Sequence, residues 1–358
     1  MTNRIHLPGL NGLRAIAALS VMWGHVFQSD FGNWGVAEFL LPVVADGVTL
    51  FFVISGFLIT YLLLNEQQKS TSISIPKFYM RRILRIWPIY YAYMILALSV
   101  TAHWGDSNVW YYGFFAANIP FILSAGIVPI VHYWSIGVEE QFYLFWPWIV
   151  KFTHGRNARL LAMAVGLCAL WLLCKWGIYL GWGTTTAYRF FAVTRFDCMM
   201  IGAIGAILYF SRNTFLMRFA NCRWIGAVCL LLIAFSAPWA EYIPAPVRPQ
   251  IIALLSLAAI LSQLGENPLI NLENRLCDSV GKVSYGIYVI HPLLIMLLSG
   301  LYRTWGLANS GIGSVILIYL IVTIATYFVA WLSYRFFESP FLRIKDRFSV
   351  VLSRNTMR

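Results

Sequence analysis

Apolar runs close to twenty residues long recur along this whole chain, and each is long enough to cross a hydrocarbon core as a helix. A hydrocarbon core tolerates no unpaired backbone amide, so repeated spanning runs restrict the fold to a bundle of helices. The runs read as spans 9–28, 46–64, 84–103, 134–151, 158–178, 195–211, 223–238, 249–264, 284–302 and 312–337. The expected fold is all-α: a polytopic membrane helix bundle of about ten transmembrane helices. Composition agrees, since 60% of the residues are hydrophobic and 11% charged, which excludes an ordinary soluble globule. Residues 110–124 are apolar but short and contain Pro120, so they read as an interfacial or re-entrant piece, with an eleventh span as the alternative. No internal repeat or long linker is visible. The expected organisation is one membrane domain over 1–341 and a short cytoplasmic tail over 342–358.

The net charge of +12 reads first as topology. With the N-terminus inside, twenty of the 26 lysines and arginines fall in cytoplasmic segments and five on the other side, while Arg14 lies within the first span. Both termini are therefore expected in the cytoplasm. The basic residues sit in short loops, so membrane lipids are expected partners and nucleic acid is not. The six cysteines show no C-x-x-C spacing, and neither a disulfide framework nor a metal site is expected. The opening segment does not read as a cleavable signal, because Arg14 interrupts its apolar region and no small-x-small site follows.

The polar residues inside the spans carry the functional signal. Arg14 and His25 are eleven residues apart, three helical turns plus about 20°, so they share one face about 16 Å apart along the axis. Ala18 and Val21 lie between them on the same stripe. An arginine within a span is costly and faces a cavity or a partner. With a histidine on its stripe it suggests a polar path through the protein; the bland alternative is a snorkelling arginine and a packed histidine. Imidazole titrates near neutrality and makes a general base when a carboxylate fixes its tautomer. Glu139, Asp46 and Asp197 are the candidate carboxylates, each equally readable as a solvated interfacial residue, while Glu140 faces away from Glu139. Arg81, Arg82 and Arg85 stand where a polar loop meets the third span. They can ring a phosphate or pyrophosphate, or serve as topology signals on anionic lipid. Ser284, Tyr288 and His291 share one face at i, i+4 and i+7, which also suits interhelical hydrogen bonding. Arg335 and Glu338, at i and i+3, read as a structural pair.

Taken together these motifs resemble the acyltransferase-3 family of bacterial membrane acyltransferases. Arg14-x-x-Ala17-x-x-x-Val21-x-x-x-His25 is similar to the family's first-helix signature, and Phe51-Phe52-Val53-Ile54-Ser55-Gly56-Phe57 to that of its second helix. Arg81-Arg82-x-x-Arg85-x-x-Pro88 resembles its basic loop, and Trp134-Ser135-Ile136-Gly137-Val138-Glu139 its tryptophan-serine-leucine motif. Arg195-Phe196-Asp197, Ser284-Tyr285-x-x-Tyr288-x-x-His291 and Phe337-Glu338-x-Pro340 follow in the family's order, so the likeness runs from about residue 7 to 341. One position departs: Thr49 stands where members often carry an aspartate. If that aspartate orients the histidine, its role falls to Glu139 or to Asp46, one turn earlier.

The resemblance implies a multi-pass enzyme of the bacterial cytoplasmic (inner) membrane, with no permanently bound cofactor. Its donor substrate would be cytoplasmic acetyl-CoA or another acyl-CoA. Its acceptor would be a sugar hydroxyl of a surface polysaccharide such as O-antigen, or a lipid-linked glycan precursor. The extra hydrolase-like domain of longer members is not expected. On this reading His25 and Glu139 are catalytic, and Arg14, Arg81, Arg82 and Arg85 bind acyl-CoA. Asp46, Ser55, Trp134, Ser135, Arg195, Asp197, Tyr288 and His291 support them. Direct transfer and an acyl-histidine relay both remain open. A transporter or flippase of lipid-linked sugars is the rival reading; inverted repeats would favour it, and none is visible.

Overall fold

A computed structural model describes residues 5–29, 44–70, 72–240, 242–304 and 312–349. Arg4 and residues 350–358, to which the topology argument assigned inside charges, lie outside the described residues. Every element among the described residues is helical. The first half contains α1 (Leu10–Gln28), α2 (Val44–Ser70), α3 (Ile75–Thr101), α4 (Val109–Gly113), α5 (Asn118–Ile122) and α6 (Tyr133–Phe152). The middle contains α7 (Asn157–Trp182), α8 (Thr186–Thr194), α9 (Phe196–Phe210), α10 (Thr214–Ala220), α11 (Ile225–Ala234) and α12 (Ala237–Ala240). The last part contains α13 (Arg248–Leu264), α14 (Arg275–Lys282), α15 (Ser284–Thr304) and α16 (Ile312–Leu332), then a π-helical turn over Ser333–Glu338 and α17 (Ser339–Asp346).

The count of ten spans is not reached. Among the described residues, six helices are both long and apolar enough to cross a membrane: Asp46–Ser70, Ile75–Thr101, Asn157–Trp182, Thr186–Phe210, Ser284–Tyr302 and Ile316–Asp346. A seventh is available if α10 and α11, bent by 70° at their junction, act as one broken span. The shortfall has local causes. Helices α1 and α6 have the length, at 19 and 20 residues, but α1 carries Asn11, Arg14 and His25, and α6 carries Glu139, Glu140 and Lys151. Helix α13 is apolar but only 17 residues long. The polar residues that lower the apolarity of α1 and α6 are those that build the site. The segment 110–124 folds into the two short helices α4 and α5, in line with a piece that does not cross.

Close backbone packing sets the middle of the bundle. A Cβ on Gly56 of α2 would run into the Met199 carbonyl, and a Cβ on Gly202 of α9 into the Val53 carbonyl, so these two helices touch through reciprocal glycines. Thr60 of α2 accepts the Trp146 indole N–H of α6 at 2.8 Å. Tyr133 stacks on Tyr90 with ring centroids 4.1 Å apart and donates to its carbonyl at 2.8 Å, tying α6 to α3. Helix α1 is held against α2, α14 and α15, with Leu13, Ala17, Ala18 and Val21 fully buried.

Arg195 breaks the sixth expected span at its start. It takes a left-handed conformation (φ 45°) between α8 and α9, a costly backbone for a non-glycine residue. Its guanidinium donates to the Ala192 carbonyl at 3.0 Å and to Thr49 Oγ1 at 2.8 Å, and lies over the Trp134 ring. A carboxylate at position 49 would therefore meet Arg195.

Candidate active site

Three helical stripes converge at the centre of the bundle. Helix α1 contributes Arg14 and, three turns on, His25. Helix α6 contributes Ser135, Glu139 and Tyr143 at i, i+4 and i+8, and α15 contributes Ser284, Tyr288 and His291. Ser55 faces them from α2. The periodicity that makes each helix amphipathic thus places every one of these side chains on the inward face.

At one end lies a cavity of about 530 Å³. Arg14, Arg82, Arg85, Lys282, Arg335, Arg343 and Lys345 line it, against a single acidic residue, Asp346. Arg14, Arg82 and Arg85 form no ion pair among the described residues, and the Arg82 Nε has no hydrogen-bond partner there. Arg14, Leu58, Arg82 and Arg85 also line a second, narrower space of about 80 Å³, so the two spaces join at the arginines. Ser55, Glu139, Tyr143, Ser135 and Tyr288 furnish the polar part of the inner pocket, and Val48, Phe51, Phe52 and Ile136 part of its apolar wall.

Polar contacts continue inward. Glu139 Oε1 accepts from the Ser55 and Tyr143 hydroxyls. The Ser135 and Tyr288 hydroxyls are 2.5 Å apart, and both also reach the His132 carbonyl at 3.2 Å. Beyond Tyr288, His291 stacks on His25 with ring centroids 5.1 Å apart and their facing nitrogens 3.0 Å apart. His132 completes a three-ring cluster, 5.4 Å from His291 and donating to the Val289 carbonyl at 3.1 Å. Among the described residues no group of side chains is suited to hold a metal ion.

Several expectations change against this geometry. The pairing of His25 with Glu139 does not form: His25 bonds His291, and Glu139 sits one helical turn from Ser135 among Ser55, Tyr143 and the arginines. Asp46, the second candidate, is taken by Arg248 at 2.8 Å and Ser236 at 2.6 Å. Asp197, the third, is fully buried, accepts from Gln250 and pairs with Lys175 at 3.8 Å. Lys175 is itself fully buried. Arg81 does not join Arg82 and Arg85 at the main cavity. It lies about 100° round α3 from Arg82, and its guanidinium is held by Glu66 at 2.6 Å and by the Phe348 carbonyl at 2.9 Å. Arg335 and Glu338 part as well: Arg335 lines the cavity, while buried Glu338 accepts from Ser333 at 3.4 Å, because the π-turn removes the i, i+3 neighbour relation. Glu140 accepts from the Trp87 indole at 3.2 Å, on a different face from Glu139. Trp134 stacks on Phe121 at 4.9 Å and supports Arg195.

Sequence reasoning missed His132 and the cavity residues Lys282, Arg343 and Lys345. His132 precedes Ser135 by three residues, just ahead of the quoted motif, and the i, i+3 spacing places it on the same face. The cavity's cations were counted as topology charges, and a linear count cannot show that they converge.

The acyltransferase-3 family model, an acyltransferase domain, matches residues 7–335. The peptidoglycan O-acetyltransferase OatA of Listeria monocytogenes is 28% identical over 368 residues, covering 94% of this chain and 56% of the relative. The O-acetyltransferase OatA of Staphylococcus aureus is 27% identical over 366 residues, with 94% and 57% covered. The chain thus spans little more than half the length of these curated relatives. No solved structure matches it.

Proposed function

Because the chain belongs to the acyltransferase-3 family and is an acyltransferase, we propose that it transfers an acetyl group from acetyl-CoA to a carbohydrate hydroxyl. The acceptor we favour is a surface polysaccharide such as O-antigen, or its lipid-linked precursor. The observation that carries the reading is the cavity itself: seven cations, of which Lys345 alone has an ion-pair partner among the described residues, open onto a narrow pocket of hydroxyls. Coenzyme A is a chain of phosphates ending in a slender thioester arm, and its phosphates need charge-assisted donors. Arg82 and Arg85 of α3, with Arg343 and Lys345 of α17, suit the phosphates. Arg14 stands at the neck through which the arm would pass.

In this scheme the acceptor hydroxyl reaches His25, whose imidazole takes the proton as the oxygen attacks the thioester carbonyl. The Ser135 and Tyr288 hydroxyls, at the inner end of the narrow pocket, are suited to donate to the oxygen on which charge develops. Glu139 offsets the charge of the three arginines and orients Ser55 and Tyr143. The cation-lined end is proposed to face the cytoplasm, where acetyl-CoA is made. This agrees with the sidedness of the basic loops.

Purified protein given labelled acetyl-CoA and a glycan acceptor tests the reaction; a transporter would bind the glycan and move no label. A second acceptor, peptidoglycan, is favoured by the likeness to the Listeria peptidoglycan O-acetyltransferase. Mass spectrometry of surface polysaccharide and of peptidoglycan, from cells with and without the gene, decides between the two acceptors by which loses O-acetyl groups.

A further inference from the structure

We infer that His291 is a positioning residue that fixes the tautomer of His25, holding the proton on Nδ1 and leaving Nε2 as the basic nitrogen. This rests on the proposed role of His25 as general base, but the tautomer itself is a separate physical claim.

The assignment follows from donor and acceptor rules applied along one chain of contacts. A backbone carbonyl only accepts, so the 3.0 Å contact between His291 Nδ1 and the Ile287 carbonyl requires the proton on His291 Nδ1. In a neutral ring the other nitrogen, Nε2, is then an acceptor. That nitrogen faces His25 Nδ1 at 3.0 Å, so His25 Nδ1 must donate. His25 Nε2 then keeps its lone pair. Burial supports the division of labour: His132 and His291 are buried, whereas His25 is partly exposed.

The surroundings hold this arrangement and do not compete with it. His132, ahead of α6, donates through Nε2 to the Val289 carbonyl and so clamps α15. The titratable groups packed around the pair are His132 itself, Tyr288 of α15 and, behind His132, Tyr93 of α3. No carboxylate, lysine or arginine forms an ion pair or hydrogen bond with either ring among the described residues. The step balances simply. The acceptor O–H proton passes to His25 Nε2, the oxygen bonds to the acyl carbon, and the carbon–sulfur bond breaks. The thiolate then takes the proton from Nε2. Throughout, the Nδ1 proton stays in its bond to His291, which becomes charge-assisted while His25 is cationic.

Nitrogen-15 NMR of histidine-labelled protein reads the tautomer directly, with His25 assigned by its loss in His25→Ala. The expected wild-type spectrum shows His25 protonated on Nδ1 with Nε2 unprotonated. An Nε2-protonated His25 in the wild type overturns the inference whatever any variant does, and does so without bearing on whether the protein transfers acetyl groups. In His291→Phe, which keeps a ring but no acceptor, the Nδ1 tautomer should lose its dominance. Its kcat should fall about 100-fold while KM for acetyl-CoA stays within about twofold. His291→Asn, whose carbonyl can accept from Nδ1–H, should recover part of that loss. If His291→Phe folds and retains both the wild-type tautomer and kcat, His291 is packing only. If it does not fold, the wild-type spectrum and the His291→Asn rate decide.

Discussion

The cations of this bundle fall into two regions that behave in opposite ways. On one side Lys175 and Arg248 are each matched to an aspartate, with Asp197 and Asp46, and each aspartate takes a further hydrogen bond from Gln250 or Ser236. At the other end Arg14, Arg82 and Arg85 share a cavity with four more cations and form no ion pair among the described residues. Charges drawn into a bundle are kept either because they are neutralised within it or because something must be bound there. The first region is framework and the second is receptive. Motif reading alone ranked Asp46, Asp197 and Arg81 beside the receptive residues. Their partners place all three with the framework.

Four sets of variants separate the two regions. The largest effect is expected in the framework. Lys175→Ala leaves a buried carboxylate unpaired, which costs about 3–5 kcal/mol, so folded protein should be largely lost in detergent thermal-shift measurements. The double variant Lys175→Met/Asp197→Leu removes both charges and should recover most of it. If the single variant melts like wild type, the pair is not framework. Arg82→Gln and Arg85→Gln should behave conversely, each weakening coenzyme A binding by about 10- to 100-fold, since a charged hydrogen bond contributes about 1.5–3 kcal/mol, with little change in melting. Calorimetry checks the affinity, and a topology reporter confirms that the orientation survives the loss of charge. Glu139→Gln should lower turnover about tenfold, as a local rearrangement of Ser55 and Tyr143 would. It should leave the acidic limb of the pH–rate profile in place. That limb records protonation of the base, and His25 bonds His291 instead of Glu139; a limb moved to lower pH would restore the carboxylate–histidine pairing. The smallest effect is reserved for Arg81→Gln: its guanidinium is spent on Glu66, so coenzyme A affinity should change by less than about twofold, within the range of a screened, indirect charge.

Much of this was legible in the chain. The helical period alone set Arg14 and His25 on one stripe, and the same arithmetic grouped Ser284, Tyr288 and His291. The hydropathy pattern identified the bundle, while among the described residues only six or seven helices are long and apolar enough to cross a membrane. The helices that build the site dilute their own apolarity with Arg14, His25 and Glu139, and a bend between α10 and α11 shortens another. What stayed hidden was pairing across helices. No linear rule says that Asp46 meets Arg248 from residues 202 apart in sequence, or that His25 meets His291 across 266. The convergence of Lys282, Arg343 and Lys345 with Arg82 has the same origin, in tertiary packing. The π-turn at Ser333–Glu338, which frees Arg335 for the cavity, leaves no mark in the motif that contains it.

The division between a cavity that binds and a histidine end that reacts is tested most directly on one variant. Coenzyme A affinity and acetyl turnover should both be measured for His25→Ala, recovered folded at wild-type abundance. Removal of the proposed general base from the far end of the α1 stripe should leave the affinity unchanged and slow turnover at least about 100-fold. Wild-type turnover in that variant, or a loss of coenzyme A affinity to match the loss of rate, would contradict the account.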